Sequence, residues 1–184
     1  MGYQDDRALQ KTLGGMLQRA QNAQEPLREI GFLMVQEMKT NIEQGGRPKR
    51  WPRSIRVQAS RTRVMQKHRK GKYTREEAVN RGGTTLRDSG TMVNSMTSEV
   101  QGNTVAAGPT AVGRKKLSDP RILAYLAYGG TVRAKNKPFL RFPIPGGGWA
   151  RVKEVTNPAR DFTYMPPEAH ETFGEVMQRY VVGN

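Results

Sequence analysis

Few residues in this chain are suited to catalysis. It has two histidines, His68 and His170, and no cysteine, so thiol nucleophiles, thiolate metal sites and disulfide scaffolds are excluded together. Hydrolysis or group transfer needs nucleophiles, bases or metal ligands that converge. His68 lies between Lys67 and Arg69 and reads as a bystander in a charged loop. His170 is accompanied by Glu168, Glu171 and Glu175. On a helix Glu171 and Glu175 are one turn apart, whereas His170 is rotated about 100° from Glu171, the pattern of a solvated face rather than a metal cluster. Gly108-Pro109-Thr110-Ala111-Val112-Gly113 has the glycine spacing of a phosphate loop. Arg114-Lys115 follows it, however, where a Lys-Ser/Thr pair would hold terminal phosphates and magnesium. A basic exit from a hairpin is the plainer reading. Asp88-Ser89-Gly90 has the composition of a turn, with no base pattern beside it to activate the serine. The chain is therefore read as a non-enzyme, with no catalytic residue, metal ligand or cofactor expected.

What the sequence does concentrate is positive charge. It holds 31 Lys+Arg against 16 Asp+Glu, net +15. That excludes a binder of cationic substrates and points to polyanions such as nucleic acid, or to acidic protein surfaces. The surplus is uneven. Residues 1–44 carry net −1, residues 45–81 carry thirteen basic and two acidic side chains (net +11), and residues 82–184 carry net +5. Arg47, Lys49, Arg50, Arg53 and Arg56, interleaved with Trp51, have the look of a phosphate-tracking surface with one stacking or anchoring ring. A solvated basic loop, or one that docks on an acidic protein neighbour, is the competing reading.

The elements that must carry these residues follow from length and pattern. A chain of 184 residues makes one domain. With 35% hydrophobic residues and a mean hydropathy of −0.74, it can build a core for only part of its length. Leu9, Leu13, Met16 and Leu17 suggest a first helix, weakened by Gly14-Gly15. Leu27, Ile30, Met34, Val35, Met38 and Ile42 predict a long helix over about 26–43 that stops at Gly45-Gly46. Residues 45–83 begin and end in Gly/Pro punctuation with little apolar periodicity between. They are expected to form a basic extended arm that orders on a partner, with a short helix over 54–67 resting on Ile55, Ala59 and Met65.

Beyond the arm, Leu86 to Met96 reads as a short helix or ordered turn leading into a strand, and a hairpin turns at Gly102-Asn103. A compact helix spans Pro120 to Tyr128. A second hairpin pairs 138–145 with 149–155, and a terminal helix runs from Pro166 to Val182. The fold class expected is α+β, one domain over 1–184 with 45–83 as its arm. Met1 to Gln10 has no apolar run of the secretory kind, and the longest apolar stretch, Ile122 to Tyr128, is far below the roughly 20 residues that cross a bilayer. No export and no membrane are expected.

Four short segments occur in a telling order. They are Gly45-Gly46-Arg47-Pro48 with Trp51-Pro52, Leu86-Arg87-Asp88-Ser89-Gly90 with Met92 and Ser95, Ala124 through Tyr128-Gly129-Gly130-Thr131, and Pro158-Ala159-Arg160-Asp161-Phe162. In this the chain resembles phage virion morphogenesis proteins, the tail-completion (head–tail joining) family of Mu-like phages, over roughly residues 27–181. The resemblance implies a non-enzymatic protein of the virion neck or tail, present in the host cytoplasm during assembly. It further implies a homo-hexameric ring around the DNA passage, with tail-tube or terminator proteins and the head connector as neighbours and double-stranded DNA in the lumen. On that reading the polyanion-facing set is Arg47, Lys49, Arg50, Arg53, Arg56, Arg61, Arg63, Lys67, Arg69, Lys70 and Lys72. Trp51, Phe139, Leu140 and Phe162 are packing or interface anchors. The alternative is a free, non-specific DNA- or RNA-binding protein.

Overall fold

The structure, a computed structural model, describes residues 3–77, 85–86, 90–110, 120–145 and 148–183. In chain order its elements are α1 (Tyr3–Gln21), α2 (Gln24–Gln44), α3 (Ile55–Arg69), α4 (Thr91–Asn94), β1 (Met96–Gln101) and β2 (Thr104–Pro109). Then come α5 (Pro120–Tyr128), β3 (Gly130–Arg133), β4 (Leu140–Pro143), β5 (Trp149–Val152), β6 (Glu154–Asn157) and α6 (Pro167–Val182). The class is α+β, as expected. The chain packs as two compact units built from interleaved segments. One takes Met1–Met38, Met96–Gly108 and Met165–Asn184, the other Lys39–Ser95 and Pro109–Tyr164.

The first unit is largely helical. Ile30, Val35 and Met38 of α2 recur at helical spacing and are buried, as are Ala169 and Val176 of α6. Helix α1 runs unbroken through Gly14-Gly15, although each glycine costs about 1 kcal/mol relative to alanine. Contacts at its far end hold it. Arg19 donates from Nε to Val181 O at 2.9 Å and from Nη2 to Val182 O at 3.1 Å, placing a cation on the carbonyl end of α6 where the helix dipole is negative. Tyr180 Oη donates to Asn22 O at 2.9 Å. The leucine spacing that marks α1 as a helix does not mark its covered side. Leu9, Leu13 and Leu17 are 56%, 54% and 60% exposed, and the covered side is Gly15, Met16 and Arg19. Strands β1 and β2 pair through the Gly102-Asn103 turn, as expected.

The second unit holds two separate antiparallel ladders. In one, β4 meets β5 with Arg141 opposite Arg151 and Pro143 opposite Trp149. In the other, β3 meets β6 from Gly130 opposite Asn157 to Arg133 opposite Glu154. The expected strand over 149–155 is therefore two strands: it breaks at Lys153, whose carbonyl accepts from Ala134 N at 2.9 Å, and the rest turns to β3.

Within the arm expected over 45–83, the short helix expected over 54–67 is present. Residues 55–69 form α3, opened by Ser54, whose Oγ accepts from Val57 N at 3.3 Å. Val57 and Ala59 are its buried residues, while Ile55 and Met65 face outward. The apolar positions suffice for a helix because α3 packs on β4 rather than standing alone. Thr74 and Glu77 then form a reciprocal cap, Glu77 Oε2 accepting from Thr74 N and Thr74 Oγ1 from Glu77 N.

Candidate functional site

Within the second unit three of the four motif segments meet. Helix α2 stops where Gly45, at φ +76°, takes the left-handed conformation and Gly46 N donates to Asn41 O at 2.9 Å. Trp51 N donates to Gly45 O at 2.7 Å, closing residues 46–50 into a tight loop. A Cβ at Gly46 would lie 2.7 Å from Trp51 Cδ1 and 2.8 Å from Trp51 N, so the loop closes only over glycine. Pro52 O then accepts two long hydrogen bonds, 3.4 Å each, from Nε and Nη2 of buried Arg160.

Arg160 N reaches the end of α5, donating to Leu126 O and Ala127 O. Asn41, fully buried, donates from Nδ2 to Asp161 O at 2.9 Å, and beside it Ile42 and Phe162 form the centre of the core. Asn157 Nδ2 donates to Tyr125 Oη. Burial pushes the Arg160 guanidinium below its usual pKa, an effect partly offset by Tyr125. The fourth segment is described only at Leu86, Gly90, Met92 and Ser95. Ser95 O accepts from Thr110 N at 2.8 Å, and Met92 is buried.

Most of the basic residues are exposed on this frame. Lys49, Arg50 and Arg53 are exposed beside the loop, and Arg63, Lys67, Arg69, Lys70 and Lys72 are exposed along and after α3. Arg47 and Arg61 are half-buried, and Arg56 lies in the first turn of α3. Arg50, Arg53 and Arg61 line one cleft of about 270 Å³ with Trp51, Glu43 and buried Thr85. The loop and α3 thus bring most of the expected polyanion-facing set into one region.

The four expected anchors separate. Phe162 is a core residue, Trp51 and Leu140 are half-buried, and Phe139 is exposed. His68 Nδ1 lies 2.7 Å from Tyr73 O at the end of α3. His170 is exposed on α6, edge-on to Phe173. Among the described residues no group of three or more His, Cys, Asp or Glu is placed to hold a metal ion, and no helix is long and apolar enough to cross a membrane. Of the phosphate-loop resemblance over 108–115, residues 111–115 lie outside the described residues, as does Asp88-Ser89.

The phage virion morphogenesis family matches the chain over residues 4–181. The chain belongs to that family. No curated protein and no solved structure matches it. The segments that carried the resemblance in sequence are therefore, in this virion morphogenesis protein, largely the packing frame of one unit. Two features of this unit escaped sequence reasoning. The Arg160–Pro52 bridge joins positions 108 apart in sequence, with no local trace. The arginines of β4 and β5 did leave a trace, because Phe139-Leu140-Arg141 and Trp149-Ala150-Arg151 repeat an aromatic and an arginine two residues apart.

Proposed function

We propose that this virion morphogenesis protein is a non-enzymatic component of the neck or tail that completes the tail and joins it to the filled head. It acts as a homo-oligomeric ring around the DNA passage, between tail-tube or terminator proteins and the head connector. The observation that carries this reading is the family match across nearly the whole chain, 4–181. The basic loop and α3 support it. A protein lining a DNA passage needs cations that meet phosphate without sequence preference, and exposed Lys and Arg on a rigid frame supply them. Ring closure by heterologous contacts needs two different faces on each copy.

Complementation tests the proposal. A phage lacking the gene is expected to accumulate filled heads and unjoined tails, and the wild-type protein supplied in trans restores joined particles. Joined, infectious particles formed without the protein refute it. A free nucleic-acid-binding protein would instead leave particle morphology intact and bind duplex as a monomer.

A further inference from the structure

Strands β4 and β5 carry a pattern that the cations of α3 do not explain. Phe139 and Arg141 stand two residues apart, as do Trp149 and Arg151, so all four belong to one face of the hairpin. The register sets Arg141 directly opposite Arg151, both exposed. Like charges opposite one another across a strand pair repel and weaken it. The only carboxylate between residues 130 and 157, Glu154, is bound to Arg133 at 2.9 Å.

Each guanidinium is laid over a ring instead. Arg141 lies 4.7 Å from the centre of Trp149 and Arg151 lies 5.0 Å from that of Phe139. Bracing of this kind fixes the guanidinium plane while leaving its N–H edge free for an anion, the geometry that suits phosphate oxygens. It also occupies one face of each ring. Trp149 lines the same cleft as Arg63 of α3, which makes the two basic surfaces continuous.

We infer that this hairpin face is a phosphate-backbone-binding surface for duplex DNA, continuous with the cations of α3. The inference rests on the DNA-facing reading of this unit, and the test separates the two. The full-length protein is titrated against a labelled duplex of about 30 base pairs at several salt concentrations. Each phosphate contact contributes about −0.9 to the slope of log affinity against log salt. Arg141→Gln/Arg151→Gln should flatten that slope by about 2, so that between 50 and 200 mM salt the wild type loses about 12-fold more affinity than the variant. Phe139→Leu/Trp149→Leu keeps both charges and should weaken binding while leaving the slope near that of the wild type.

Circular dichroism confirms folding, and Arg151→Gln alone, with half the slope change, serves if the double variant unfolds. A wild-type slope in the glutamine variants overturns the inference, as does failure of the wild type to bind duplex or equal competition by poly-glutamate. Loss of slope only on neutralising Arg63, Lys67 and Arg69 overturns the hairpin's role while leaving the DNA-facing reading intact. Head–tail joining is scored separately by complementation.

Discussion

Replacing Gly129 with alanine puts a methyl group into space already filled by main chain. The added Cβ would lie 2.6 Å from Asn157 O, 2.7 Å from Ala159 N and 2.9 Å from Pro158 C, atoms that cannot swing aside as a side chain can. Gly129 also has φ +75°, which costs an L-residue about 1–2 kcal/mol. Overpacking adds about 1–3 kcal/mol, so the expected loss is about 2–5 kcal/mol. Gly45 provides the control. Its φ is +76°, nothing lies within 4 Å of its added Cβ, and it belongs to the same unit. Gly45→Ala should therefore cost only the backbone part, about 1–2 kcal/mol. At about 2–4 °C per kcal/mol for a chain of this size, Gly129→Ala should melt about 2–12 °C below Gly45→Ala. Thermal unfolding of the two variants side by side checks this. Equal melting temperatures within about 1 °C would refute the close packing of the Gly129-Gly130 turn on residues 157–159.

Three further outcomes are expected. Ser54→Ala removes the cap of α3 and should cost about 0.5–2 kcal/mol, seen as faster hydrogen exchange across residues 55–69 with other helices unchanged. Arg160→Ala should cost about 1–3 kcal/mol through the lost bridge to Pro52. Burial lowers the folded-state pKa of Arg160, so its charged form is disfavoured by folding and stability would rise only as pH climbs through that pKa towards the unfolded one. Arginine stays protonated far above neutrality, and urea melts at pH 5, 7 and 9 should give the same difference between wild type and variant. Leu13→Gln should change stability by no more than about 0.5 kcal/mol and Ile42→Ala by about 2–5 kcal/mol, because the first side chain is more than half exposed and the second fully buried.

The sequence was most legible where a local rule decides the outcome. Helix α2 follows from apolar residues at three- and four-residue steps and a glycine stop, and the β1–β2 hairpin from Gly102-Asn103. It was least legible where distant packing decides. Residues 55–69 looked too poor in apolar side chains to fold, yet Val57 and Ala59 are enough once β4 lies against them. Glu154 and Val155 read as a continuation of β5 because alternation cannot reveal which partner a strand takes, and they pair with β3 instead. The basic set was visible as composition. The arrangement of Arg141 and Arg151 needed the register, which no local pattern supplies.

Residues 157–182 complete both units. Asn41 meets its acceptor at Asp161, 120 positions later, and Arg19 meets Val181, 162 positions later. Contacts so remote in sequence form slowly, and during translation they cannot form until the second partner has been made. Until those residues are made, the nascent chain therefore lacks the partners of Arg19 on α1 and of Asn41 on α2. A premature stop before residue 157 would leave neither unit closed, and such a fragment should be degraded rather than accumulate as a working half.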